Sequence, residues 1–259
     1  MEVCLLPGCT AAYSEVEAAL RRALKLTTLP YRDGRLPLSL LDDEPSLHAV
    51  VAHLAVADTA GLGAAPLGSE VYSWAQQLHV FVYQLNEDAA GVEEDEEEDG
   101  AAGVSYRDWA LPATEFGGAW EALVYDSDVK ARLLRYCTAA LRFADARVDA
   151  QLVSFNRVVL LHGPPGTGKT SLCCALAQKL SIRFGSRFSS GVTLVEVNAH
   201  SLFSRWFSES GKLVGKLFAK VGELLEDPDA LVCLLIDEVE SLSASRSASA
   251  NGVLPREQK

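Results

Sequence analysis

The chain has 259 residues, 49% hydrophobic and 22% charged, enough for two modest domains with separate cores. Its net charge of -12 argues against a protein held to nucleic acid by an overall basic field. No apolar run reaches bilayer-spanning length and no basic-then-apolar leader is visible, so neither a membrane span nor a signal peptide is expected; six scattered cysteines without paired spacing read as reduced thiols rather than zinc ligands.

In chain order, Ser14 to Leu26 repeats apolar side chains at helical spacing (Val16, Ala19, Leu20, Ala23, Leu24), with Arg21, Arg22 and Lys25 opposite. Pro30, Gly34 and Pro37 then interrupt the pattern, and Leu78 to Leu85 predicts a strand. Residues 1–86 therefore read as a small α+β domain. Its His48, His53 and His79 lack ligand spacing, and nothing in it looks catalytic. Residues 87–103 are acidic and small, with seven consecutive carboxylates from Glu93 to Asp99, and read as a solvated linker or, alternatively, a docking tail.

From 104 to 246 the pattern changes. Val129 to Leu141 predicts an amphipathic helix, with Leu133, Leu134, Cys137 and Leu141 on its apolar face. Arg157 to His162 predicts a buried strand, Ser171 to Leu180 a helix, Thr193 to Val197 a strand, 209–225 a helix and 231–236 a strand. Such alternation implies an α/β fold, a parallel sheet covered by helices on both faces.

Two motifs sit on this frame. Gly163-Pro164-Pro165-Gly166-Thr167-Gly168-Lys169-Thr170 fits the phosphate-binding pattern G-x-x-x-x-G-K-[ST]. Glycines let backbone N–H groups close around phosphate oxygens, Lys169 reaches the β- and γ-phosphates, and the Thr170 hydroxyl holds Mg²⁺. The strand from Leu231 ends in Asp237-Glu238. Carboxylates at the C-terminal tip of a buried strand fall where ligands sit in open α/β sheets: Asp237 suits Mg²⁺, directly or through water, and Glu238 suits a water attacking the γ-phosphate of ATP. Between the motifs, Trp206-Phe207 lies among Ser204, Arg205, Ser208 and Glu209; the pair either plugs a core or, given its polar flanks, forms an exposed contact element. Lys212, Lys216 and Lys220 repeat every four residues as a basic helix stripe, either a solvated face or a phosphate-backbone contact.

With these residues in hand, G-P-P-G-T-G-K-T at 163–170, R-W-F-S-E-S-G-K at 205–212 and D-E-V-E at 237–240 resemble an AAA+ ATPase, and the longer stretches around them resemble the pachytene checkpoint protein 2 family. The resemblance implies a parallel-sheet large ATPase subdomain over 104–246, partial at its C-terminal end, behind an adaptor- and substrate-recognition domain at 1–86. It implies a homohexameric ring that remodels HORMA-domain proteins with a HORMA adaptor, using ATP and Mg²⁺, in meiotic chromosome-axis control and mitotic checkpoint silencing, in nucleus and cytoplasm. By the same resemblance, Gly163 to Thr170 would bind ATP, Asp237 the metal, Glu238 would be the hydrolytic carboxylate, and Trp206 and Phe207 would grip substrate in the pore. Leu123-Val124-Tyr125 would lie near the adenine. Direct nucleic-acid or membrane binding is not implied.

The resemblance weakens after Arg246, where 247–259 reads as a small, polar, non-family tail in place of the family's sensor strand, arginine fingers and lid. Loss of an arginine finger removes roughly 10³–10⁵ in rate. Two functions are therefore expected to compete: a partial form of an ATP-driven remodeller, and a catalytically incompetent short isoform acting as a nucleotide-binding interaction protein.

Overall fold

The computed structural model describes residues 1–25, 27–59, 69–73, 77–95, 103–149, 151, 153, 155–199 and 210–240. They form two compact units, one from 1–87 and 112–186, the other from 88–111 and 187–259. The chain leaves the first unit after Glu87 and re-enters it at Pro112.

The first unit is built on a four-stranded sheet in the order β3-β4-β1-β6: β3 Gly34–Leu36, β4 Val51–Val56, β1 Glu2–Leu5 and β6 Phe81–Gln84. Strand β1 runs antiparallel to β4 and parallel to β6. Successive side chains of a strand point to opposite faces. On β1 that alternation sends Val3 and Leu5 into a core with Val16, Ala19, Leu20 and Leu24 from the first helical segment, α1 Tyr13–Ala23 and its C-cap. Each fully buried leucine there contributes about 2 kcal/mol relative to exposure. Glu2 and Cys4 face the other way; Cys4 clusters with Tyr83 and with Ile182 of a later helix. Short elements complete this half: α2 Pro45–His48 and a two-stranded ribbon of β2 Thr28–Pro30 with β5 Glu70–Tyr72.

The same unit continues with α3 Ala119–Ala122, α4 Val129–Asp145 and α5 Lys169–Phe184. Helix α5 is rich in Ala, Cys and Leu on every side and is buried accordingly, at eleven of its sixteen positions. Its Gln178 amide accepts from Ala113 N–H and donates to Ala113 C=O, both at 2.9 Å, tying the helix to the returning chain.

The second unit is a four-stranded sheet in the order β10-β9-β8-β7: β10 Ala230–Asp237, β9 Gly191–Asn198, β8 Gly103–Leu111 and β7 Gly91–Asp95. Its core combines Tyr106, Val195 and Val197 with Val221 and Leu224 from α6 Ser210–Leu224 and with Val232 and Leu234. Strands β9 and β10 are parallel, as the alternating pattern predicts, while β8 and β7 are antiparallel. The sheet is therefore mixed.

Two expectations are corrected. Residues 157–162 form no strand: the backbone is irregular there, with Val158 73% and Leu160 70% exposed. A short apolar run becomes a strand only where a neighbour offers a free edge, and none among the described residues pairs with it. The acidic stretch is also not wholly a linker. Gly91–Asp95 pairs with β8 from Gly91↔Asp108 to Asp95↔Gly103. Composition weighs side chains, whereas this ladder is made by the backbone.

Candidate functional site

The glycine loop lies in the first unit, between the irregular 157–162 segment and α5. Gly166 (φ +74) and Gly168 (φ +77) take the left-handed conformation that glycine adopts without a Cβ penalty. Gly168 is the N-cap of α5, with no side chain capping the helix. The first-turn N–H groups thus lack intrahelical acceptors, and the helix dipole adds partial positive charge at the same end. Thr167 Oγ1 donates to Pro164 C=O at 2.9 Å and closes the turn. Lys169 Nζ folds back over the loop, donating to Gly163 C=O at 3.1 Å and Pro164 C=O at 2.8 Å. The loop itself is exposed. N–H dipoles, an ammonium and open access, with no carboxylate in the loop, suit a polyphosphate anion.

Packing holds this loop from one side. Tyr125 OH donates to Gly168 C=O at 3.3 Å, and a Cβ on Gly168 would come within 3.2 Å of that hydroxyl and 3.4 Å of Leu123 Cδ2. Lys130 of α4 donates to Leu123 C=O at 2.7 Å and to Trp120 C=O, and its ammonium sits 5.3 Å from the Trp120 ring centre. Burial pulls the Lys130 ammonium below the ordinary lysine value, with Glu121 opposing. Lys130 is therefore the brace behind the loop, and sequence pattern did not single it out. Val124, between the two contacting residues, is 87% exposed.

The carboxylate pair lies in the second unit. In the parallel β9–β10 pair, Asn198 is in register with Asp237, so both strands end together. Glu238 N–H donates to Asp237 Oδ1 at 2.9 Å, and Asn198 Nδ2 donates to Glu238 Oε2 at 3.2 Å. Glu238 adopts φ +55, which costs a residue with a Cβ roughly 1–2 kcal/mol. The side chain is held in a specific pose at the strand tip, by a strained backbone and an amide from the neighbouring strand. Both carboxylates stand at the strand tip, and the Asn198 amide holds that of Glu238. Asn198 was missed in the sequence. The available signal was the polar residue ending the preceding apolar strand, T-L-V-E-V-N.

Trp206 and Phe207 lie outside the described residues, as does the 247–259 tail. Lys220 is exposed. All six cysteines are free thiols, and no described helix is long and apolar enough to cross a membrane.

Known proteins resemble this chain over nearly all of it. It is 51% identical over 255 residues to the pachytene checkpoint protein 2 homolog of Oryza sativa subsp. indica, covering 98% of this chain and 52% of that protein. The Rattus norvegicus homolog is 46% identical over 256 residues, covering 98% and 57%. The structure of C. elegans PCH-2 superposes with a TM-score of 0.68 at 34% identity, covering 96% of this chain and 61% of that one. The chain thus spans about half the length of the relatives it matches. Residues 159–258 match the ATPase family associated with various cellular activities (AAA), which sets loop and carboxylates within an AAA ATPase module. That match runs past Arg246, where the sequence resemblance weakens. Residues 1–88 match the TRIP13 N-terminal domain. The chain belongs to the pachytene checkpoint protein 2 family.

Proposed function

We propose that this chain carries the ATP-binding part of a ring-forming remodeller of HORMA-domain proteins. One observation carries the nucleotide reading: a glycine loop that caps α5 through Gly168 while Lys169 folds over its mouth. In this reading Gly163 to Thr170 hold the phosphates of ATP. Thr170 and Asp237 hold Mg²⁺, which supplies charge neutralisation on the β- and γ-oxygens when bound. Glu238, posed by Asn198, orients and polarises the water that attacks the γ-phosphate. Trp206 and Phe207 grip a segment of the substrate protein. Residues 1–86 recruit a HORMA adaptor, 104–246 form the large ATPase subdomain, and the homohexamer works in nucleus and cytoplasm on meiotic chromosome axes and checkpoint complexes.

The test is titration of the chain with a fluorescent ATP analogue and Mg²⁺, followed by phosphate release. Lys169→Ala is expected to weaken binding about tenfold or more, a loss of at least ~1.4 kcal/mol. Glu238→Gln is expected to keep binding and abolish turnover. Equal affinity of the Lys169→Ala variant overturns the assignment of the loop. Binding by the unaltered chain without turnover would instead assign it the role of a nucleotide-binding interaction protein.

A further inference from the structure

We propose that the N-terminal sheet is latched to the phosphate-loop helix by a buried charge cluster, so that nucleotide binding and the state of that sheet are thermodynamically coupled. The inference rests on the nucleotide reading above and concerns the opposite end of the same helix.

The cluster is centred on Glu2, the first residue of β1. Its Oε2 lies 2.6 Å from Lys179 Nζ and its Oε1 2.8 Å from the Arg183 guanidinium. Lys179 and Arg183 stand one turn apart on α5, so both face Glu2. The three side chains are almost wholly buried, at 4%, 5% and 8% exposure. Two carboxylates reach in from the surface: Glu121 to Lys179 at 2.7 Å and Asp58 to Arg183 at 2.7 Å. The Arg183 guanidinium also lies 4.5 Å from the Phe81 ring centre. Phe81 is the register partner of Glu2 across β1 and β6, so the cations grip two paired strands at once.

A buried pair tolerates little displacement, because separating its members leaves a desolvated charge without compensation. Helix α5 is a stiff rod at about 1.5 Å per residue, and its first residue is Lys169. An anion that draws the first turn and Lys169 into one position therefore fixes Lys179 and Arg183 as well. Glu2 must follow, and β1 with β6 follows Glu2. The coupling is reciprocal: whatever steadies the sheet also steadies the helix end that receives phosphate.

Hydrogen exchange of the full chain, with and without saturating Mg-ADP, tests the latch. In the unaltered chain, amides of β1 and β6 are expected to exchange about fivefold more slowly with nucleotide, the lower end of ordinary intersite coupling. Lys179→Met is expected to bind nucleotide about fivefold more weakly and to transmit no protection to the two strands. Glu121→Gln alters a partner on the exposed rim, where folding is spared, and is expected to transmit a reduced effect. Nucleotide binding with unchanged exchange in β1 and β6, or full transmission in folded Lys179→Met, overturns the latch alone. Absence of nucleotide binding overturns the nucleotide reading and the latch with it.

Discussion

Gly168 shows how one missing side chain serves both fold and site. Its φ of +77 lets the chain turn into α5, and its bare Cα lets Tyr125 and Leu123 approach the loop. Gly168→Ala adds left-handed strain of roughly 1–2 kcal/mol. It also places a methyl 3.2 Å from the Tyr125 hydroxyl, so that contact must give as well. Urea denaturation is expected to register the strain as lost stability, and nucleotide affinity is expected to fall because the cap no longer aims its N–H groups. Unchanged stability together with unchanged affinity would show that the glycine is not required there. The loop was legible in the sequence because each of its residues has a chemical task at a fixed offset. Asn198 was not, because its contact with Glu238 depends on the register between two strands more than thirty residues apart, which no local pattern encodes.

At the scale of elements, α5 decides most of the first unit. Its position 178 carries a glutamine in a stretch otherwise suited to leucine, and the amide meets both backbone groups of Ala113. Gln178→Leu keeps the volume and removes both contacts, leaving the buried Ala113 N–H unpaired at about 1–3 kcal/mol, while Ala113 C=O still accepts from Phe116 N–H at 3.3 Å. A loss of about 1–3 kcal/mol in equilibrium unfolding is expected. A loss under ~0.5 kcal/mol would mean that water replaces the amide. Long periodic elements were readable: α1, α4, α5, α6, β9 and β10 fall close to their predicted spans. The failures share a cause. Whether 157–162 or 91–95 becomes a strand depends on which edge is free beside it, and hydrophobicity does not report edges. The first run is apolar and unpaired; the second is acidic and paired.

Acid stability belongs to the whole molecule, since it reflects the difference in bound protons between folded and unfolded chains. The fold changes the proton affinity of His53. It sits on β4, with Nε2 3.1 Å from the Tyr83 hydroxyl of β6, in the row of the sheet that has Cys4 between them. Burial lowers its pKa below 6.5, with the Arg35 charge acting in the same direction and Glu2 and Glu121 opposing. A depressed pKa means that the unfolded chain takes up the proton first as pH falls. The contribution of neutral His53 is therefore complete above pH 6.5 and is lost as pH drops from there through its folded value. The slope from one such group cannot exceed about 1.4 kcal/mol per pH unit. His53→Gln keeps an amide beside Tyr83 and removes the titration. Its unfolding free energy, measured from pH 7.5 to 5, is expected to fall less steeply than that of the unaltered chain, with the two profiles diverging only below pH 6.5. Other titrating groups are common to both proteins and cancel in the difference. Parallel profiles over that range would mean that His53 binds its proton equally well in both states, and that its place in the sheet does not hold it neutral.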